Sequence, residues 1–362
     1  MKILFVIPRM GGGGAERVAS ILANGLVKDG YSVGVHTFVG GESFYPLSED
    51  ISITDCGIKK VKKGILRKLS ILLNFPKAFF KTKKLIKKGG YDVVISLLPE
   101  ADITVWLIRK FYSKFKWVSS ERFDPEKRGK RRQRYVNKAY KNVDFLVCQS
   151  DKVKEYYSQV NDDKKTVIFN PININGLPER KTVPEKTIVS VGRLSTQKNF
   201  ALLIKAFADI SKTYHEYSLK IYGEGPEREN LQNLIDELSA KEKITLCGAD
   251  KNVLSKVASA SLFVMTSNSE GFPNALLEAA AIGLPCISTD FNTGTACEII
   301  DKDFLIPVGD EKALKERLEY LLSDDTLRIT VGNKNRENAK KFDGEIIVKE
   351  WETLLLKVTE NE

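Results

Sequence analysis

Short runs of β-branched and apolar residues alternate with helical stretches along the whole chain, and this alternation constrains the fold more than any other feature. Residues 3–7, 32–38, 93–98, 117–119, 145–148 and 166–169 read as strands. Helical patterns such as 16–29 and 134–142 lie between most of them. Alternation of this kind specifies a parallel sheet with helices on both faces. The turn-rich stretch 170–178, Asn-Pro-Ile-Asn-Ile-Asn-Gly-Leu-Pro, interrupts the pattern. It then restarts with strand-like runs at 188–191, 219–222, 244–247, 262–265, 286–288 and 305–307. The expected fold is α/β, with two doubly wound Rossmann-like domains whose strand ends face a central cleft. The 362 residues suit two such cores better than one.

Inventory narrows the chemistry. Only His36 and His215 are present, which leaves too few histidines for a histidine-based metal site. The five cysteines (Cys56, Cys148, Cys247, Cys286, Cys297) are dispersed, against a disulfide framework or a structural zinc. No apolar run approaches the roughly 20 residues of a membrane span, and no secretory signal is visible, so a cytoplasmic location is expected. The net charge of +10 is unevenly placed. Residues 1–180 carry 34 Lys/Arg against 18 Asp/Glu, and residues 181–362 carry 23 against 29. An anionic partner held by the first half is the physical implication.

Four glycines, Gly11 to Gly14, follow the first strand and precede a helix opening at Ala15-Glu16. Glycines there let backbone N–H groups approach an anion, although a plain flexible turn would look the same. Neither the P-loop nor the dinucleotide fingerprint matches. In the second half, Ser269-Glu270-Gly271-Phe272-Pro273-Asn274-Ala275-Leu276-Leu277-Glu278 follows a strand. Gly271 and Pro273 exclude a helix before Pro273, and 275–282 favours one, ended by Gly283 and Pro285. On one continuous helix the two carboxylates would stand about 80° apart; with Glu270 on a loop, both can face one ligand. A dipole-favourable surface glutamate is the alternative for each. Gly192-Arg193-Leu194-Ser195-Thr196-Gln197-Lys198-Asn199 also follows a strand, and its two cations can flank a diphosphate or simply be solvated. A glycine turn, Gly223-Glu224-Gly225-Pro226, follows another strand.

Taken together, these segments resemble the family-four retaining glycosyltransferases of GT-B architecture. The matches are the E-x7-E motif at Glu270 and Glu278, G-R-L-x-x-x-K-N at 192–199, G-x-G-P at 223–226 and G-G-A-E at 13–16, in the family's order. The resemblance implies an N-terminal acceptor domain over 1–172, a donor domain over 173–344, and a C-terminal helix, 345–362, packing back on the first. Arg193 and Lys198 would neutralise the leaving diphosphate. Glu278 would bind the ribose and Glu270 a sugar hydroxyl. Backbone of Gly271, Phe272, Pro273, Asn274 and Leu277 would contact sugar and phosphate, with Ala249 and Asp250 beside the base. Gly12 and Gly13 would close over the phosphates. No metal or other cofactor is expected, because charge on the leaving group is met by these cations. The segment Ser119-Ser120-Glu121-Arg122-Phe123-Asp124-Pro125 is similar to the S-E-R-x-D-P of polysaccharide-building members and lacks the histidine many relatives carry. Glu121 is the candidate to take the acceptor proton. Asp301-Lys302-Asp303 reads as a polar turn rather than a metal motif.

The basic half points to the acceptor. From Lys59 to Lys88 there are twelve Lys/Arg and no acid, with Ile65, Leu69, Leu72, Leu73, Phe79 and Phe80 interleaved and Pro76 interrupting what reads as a helix pair. That is the pattern of an anionic membrane surface contact, to which each cation contributes roughly 1 kcal/mol. Lys68 in this stretch, and Arg122, Arg131 and Arg132 near the Ser-Glu-Arg segment, are the expected acceptor and membrane residues. The resemblance extends to bacterial enzymes that add α-linked N-acetylhexosamine to undecaprenyl-diphosphate oligosaccharides. It implies a UDP-sugar donor, a lipid-linked glycan acceptor and a peripheral position on the inner membrane face. A soluble transferase acting on a small acceptor, and a non-catalytic sugar-nucleotide or membrane-binding module, are the competing readings; no nucleic-acid recognition module is visible.

Overall fold

The computed structural model describes residues 1–59 and 65–360, without the side chains of 65–72, and the chain divides into two compact units. Unit 1 is Met1–Pro171 with Gly344–Glu362, and unit 2 is Ile172–Asp343. Unit 1 begins β1 (Lys2–Ile7), α1 (Gly14–Lys28), β2 (Ser32–Val39), β3 (Ser52–Ile58), α2 (Ile65–Gly89), β4 (Val93–Leu97) and α3 (Pro99–Arg109). It continues with β5 (Lys116–Ser120), α4 (Lys130–Tyr140), β6 (Phe145–Cys148), α5 (Asp151–Tyr156) and β7 (Lys165–Val167). The strands form one parallel sheet ordered β3-β2-β1-β4-β5-β6-β7. Central β4 is buried at every residue, as a strand covered on both faces must be.

Unit 2 repeats the plan with β8 (Glu185–Val191), α6 (Phe200–Ile210), β9 (Ser218–Tyr222), α7 (Arg228–Glu237), β10 (Ile244–Gly248) and α8 (Val253–Ala258). Then follow β11 (Ala260–Met265), α9 (Asn274–Ile282), β12 (Cys286–Thr289), β13 (Leu305–Ile306), α10 (Glu311–Leu322) and α11 (Asp325–Ala339). Its parallel sheet is ordered β10-β9-β8-β11-β12-β13. The last helix, α12 (Gly344–Glu360), belongs to unit 1. Its fully buried Trp351 joins Ile3, Phe5 and Leu22 in one core cluster. Gly25 of α1 lets α12 come close, since a Cβ there would stand 2.5 Å from a methyl of Val348.

Two local expectations are corrected. β3 is an additional strand at the edge of the sheet; only Cys56 within it is buried, so it shows no apolar run. α2 is one helix rather than a pair, with Pro76 inside it. Pro76 is exposed, so water can satisfy the carbonyl that the missing N–H leaves open. The stop at Gly283 is a left-handed cap (φ 95°), with Leu284 N–H donating to Ala279 O at 3.0 Å and Gly283 N–H to Ala280 O at 2.9 Å. The turn at Asp301 is a one-turn cap in which its side chain accepts from Asp303 N–H at 3.1 Å.

A buried polar network lies inside unit 1. Asp102 on α3 accepts from Ser96 Oγ at 2.6 Å, Ser119 Oγ at 2.8 Å and Tyr140 OH at 3.0 Å. Burial pushes its carboxyl up to about 7, the charge of Glu121 adds to this, and the three hydroxyls oppose it. A folded-state value above the usual carboxylate range means that the unfolded chain ionises first. The contribution of Asp102 to stability therefore falls as pH rises from about 4 to about 7. Asp102→Asn removes the titration while keeping an acceptor. The unfolding midpoint of the variant minus that of the wild type is expected to rise between pH 5 and pH 8 in thermal melts; a difference independent of pH would contradict this.

Candidate functional site

The expected donor residues of unit 2 sit on loops at the C-terminal ends of β8, β10 and β11 and, for Asn274, Leu277 and Glu278, at the start of α9, the end of a parallel sheet where ligands bind. Loop 192–199 and loop 266–270 are sewn together. Thr266 Oγ1 contacts the carbonyls of Lys198 (3.2 Å) and Asn199 (3.0 Å). Asn268 N–H donates to Gln197 O at 2.7 Å, and its side-chain amide to Thr196 O at 2.9 Å. In return, Gln197 Nε2 donates to Ser269 O at 2.7 Å. This stitching places Lys198 Nζ 2.5 Å from Glu270 Oε1, a half-buried ion pair. Ser267 Oγ donates to the same oxygen at 2.6 Å. Thr293 Oγ1 and Thr295 Oγ1 hold the carbonyls of Glu270 (3.0 Å) and Gly271 (3.2 Å).

Arg193 is different. It is exposed, and among the described residues its guanidinium has no hydrogen-bond or ion-pair partner. The two glycines of the 223–226 turn have a packing reason: a Cβ on Gly223 would stand 1.9 Å from Gly192 O, and one on Gly225 2.0 Å from Leu194 O. Backbone bonds Gly192 N–H to Tyr222 O (2.9 Å) and Leu194 N–H to Glu224 O (3.1 Å) fix the turn against the Arg193 loop. Its glycines therefore hold the cation loop in place.

Glu278 is half-buried in the second turn of α9, and no side chain caps the start of that helix at Pro273. Phe272, Pro273 and Leu277 are buried, with Phe272 edge-on to Phe342 at 5.7 Å, so only their backbone can meet a ligand. Gly271 and Asn274 are half-buried. Ala249 is exposed, and Asp250 accepts from Asn252 N–H at 2.7 Å. A hollow of about 540 Å³ beside Asp250 is lined by residues of β8, β9, β10 and α8. Its floor is Thr187, Val189, Lys220, Tyr222 and Cys247; neither Arg193, Lys198, Glu270 nor Glu278 lines it.

In unit 1, Gly13 is the N-cap of α1, and a Cβ on it would stand 2.3 Å from Glu16 Oε2. Glu16 is buried at the third helical position and folds back towards the cap, so Gly13 also has a steric reason to be glycine. Gly12 lies under the exposed ring of Phe44, where a Cβ would come within 3.5 Å. Glu121 is sequestered and heavily bonded. Its Oε1 accepts from Arg128 Nη2 (2.6 Å) and from the N–H groups of Arg122 and Phe123 (3.0 Å each). Its Oε2 accepts from Tyr157 OH at 2.5 Å, with Tyr140 OH at 3.4 Å. A carboxylate bonded in this way suits an anchor for the 121–128 loop better than a proton acceptor. Tyr140 and Tyr157, which hold it together with Arg128, belong to no motif in the sequence.

Arg122 donates through Nη1 to Asn170 Oδ1, while its Nε and Nη2 are buried without a partner. Burial lowers its pKa to about 9, against the neighbouring charge of Glu121. Arg131 is exposed, and Arg132 pairs with Glu100 at 2.6 Å. The Lys68 side chain lies outside the described residues, as do residues 60–64 of the basic stretch. Among the described residues no cluster of three His, Cys, Asp or Glu could hold a metal ion, and no helix is long and apolar enough to cross a membrane.

Two family models match the chain: Glycosyltransferase Family 4 over residues 12–175, and Glycosyl transferases group 1 over residues 177–341. A Campylobacter jejuni protein, N-acetylgalactosamine-N,N'-diacetylbacillosaminyl-diphospho-undecaprenol 4-alpha-N-acetylgalactosaminyltransferase, is 30% identical over 362 residues, covering 94% of this chain and 96% of that protein. Among solved structures, sucrose-phosphate synthase from Thermosynechococcus elongatus superposes with a TM-score of 0.86 at 18% identity, each chain fully covered. Anabaena HepE in complex with UDP gives 0.79 at 18% identity, over 99% of this chain and 100% of that one. With two parallel-sheet Rossmann-like domains of the GT-B type and a full-length relative at this identity, the chain belongs to the group 1, family 4 glycosyltransferases.

Proposed function

We propose that this glycosyltransferase moves a sugar, an N-acetylhexosamine, from a UDP-sugar to a polyprenyl-diphosphate-linked glycan, with retention of configuration. The observation that carries the donor half is the unpartnered Arg193 beside the Lys198–Glu270 pair, on loops at strand ends. As the bond to the sugar breaks, negative charge grows on the departing diphosphate. Arg193 meets it with a planar pair of donors, and Lys198 follows once phosphate competes for its ammonium. Glu278 takes the ribose hydroxyls, and the uncapped start of α9 offers N–H groups to phosphate. The acceptor oxygen attacks from the face the nucleotide leaves, and the cations do the charge neutralisation without a metal ion. The complex of HepE with UDP supports the donor, and the diphospho-undecaprenol in the Campylobacter relative's name supports the acceptor.

The membrane part rests on α2 and the end of α3. Leu73 (69% exposed), Phe80 (65%) and Phe111 (69%) stand in water among Lys77, Lys84, Lys110 and Lys114. Lys83 Nζ lies 4.6 Å from the Phe111 ring centroid and 5.9 Å from that of Phe79. Exposed apolar side chains ringed by cations fit the surface of an anionic leaflet on the cytoplasmic side. Arg131 and the Arg122 region are assigned to the acceptor's charged head.

Two outcomes are expected. With EDTA present, Arg193→Ala lowers kcat for transfer from the preferred UDP-sugar by about 100- to 1000-fold, the range for removing one donor to a developing anion, while the circular dichroism spectrum is unchanged. Full activity in the variant would overturn the assignment, and loss of wild-type activity in EDTA would overturn the metal-free part. Separately, the protein sediments with vesicles containing anionic lipid at low salt, and Phe80→Ser/Phe111→Ser weakens this. Sedimentation no greater than with neutral vesicles would contradict the membrane reading and favour a soluble acceptor.

A further inference from the structure

Glu270 accepts two side-chain hydrogen bonds, and both fall on the same oxygen. Lys198 Nζ and Ser267 Oγ converge on Oε1, at 2.5 and 2.6 Å. Among the described residues no hydrogen bond reaches Oε2, and that atom is not sealed from solvent, since it is absent from the buried atoms that lack partners. We infer that Ser267 is a positioning residue: by holding Oε1 with Lys198 it turns Oε2 outward as the atom that accepts a hydroxyl of the donor sugar. The inference rests on the donor reading above and deepens it.

Ser267 is suited to this. It is fully buried and lies two residues past β11, and its own carbonyl accepts from Thr289 Oγ1 at 2.6 Å, at the end of β12. Its hydroxyl therefore has a fixed origin and one proton to give, and gives it to Glu270. Two donors at one oxygen stop rotation about the last torsion of the glutamate, which is otherwise soft. A sugar hydroxyl then meets a carboxylate whose geometry is already set, as a preorganised site requires. The ammonium alone would not suffice. In the proposed reaction Lys198 turns towards phosphate, and Ser267 is then what keeps Oε1 occupied.

The test separates orientation from general damage. In Ser267→Ala, kcat/KM for the UDP-sugar is expected to fall about 10- to 100-fold, the range for a hydrogen bond to a charged group. The Kd for UDP, which carries no sugar, stays within about twofold. A set of monodeoxy donors, one for each ring hydroxyl, supplies the second readout. In the wild type one deoxy donor suffers a large penalty, and in Ser267→Ala that same penalty shrinks at least threefold while the others stay as they were. Should Ser267→Ala not fold, Ser267→Cys, isosteric with a weaker donor, takes its place and gives an intermediate loss. Equal deoxy penalties in variant and wild type would overturn the positioning role. A wild-type protein that fails to bind UDP would instead overturn the donor reading on which it rests.

Discussion

The stitching of loop 192–199 to loop 266–270 is the constraint on which the site depends. The pairing of β8 with β11 brings the two loops side by side, and Thr266, Asn268 and Gln197 then bind the backbone of the opposite loop, which fixes Lys198 against Glu270 from 72 residues away. A half-buried pair of this kind is not a strong source of stability, because desolvation of both charges offsets their attraction. Its worth is geometric. It holds a cation and a carboxylate at the strand ends with an exposed arginine five residues before the lysine. Such a set can meet a diphosphate and a sugar hydroxyl at once.

Unit 1 uses its buried charges differently. Glu121 and Arg128 are almost inaccessible and share their bonds with Tyr140 and Tyr157. Tyr140 then reaches Asp102, whose carboxyl is raised chiefly by its complete burial and further by the nearby charge of Glu121. The network shapes the loop after β5 and leaves Arg122 beside Asn170 with an unused edge. Exposed cations stand along α2 and α4, among them Lys84, Arg131 and Arg134.

Most strands were legible because a parallel sheet buries both faces and prints continuous apolar runs. β3 was not, since Ser52 to Ile58 offers water nearly every side chain but Cys56. Pro76 reads as a break in sequence, yet the helix passes through it where the lost bond faces solvent. At the site, residue types and their loops could be read from spacing, whereas partners could not. Nothing in 192–199 says that Lys198 is already paired and Arg193 is not. Nothing in 119–125 says that Glu121 turns inward, because Tyr140 and Tyr157 lie on elements whose packing decides it. Ser267 carries a sequence signal, the Ser-x-x-Glu spacing familiar from helix caps, used here within a loop.

The central claim is that the strand-end loops of unit 2 hold a nucleotide diphosphate through Arg193 and Lys198. Calorimetric titration of UDP and of uridine into the full-length protein tests it most directly. UDP is expected to bind at least 100-fold more tightly than uridine, a gap of about 2.7 kcal/mol, and the gap should narrow as salt rises. Equal affinity for the two, at any ionic strength, would contradict it.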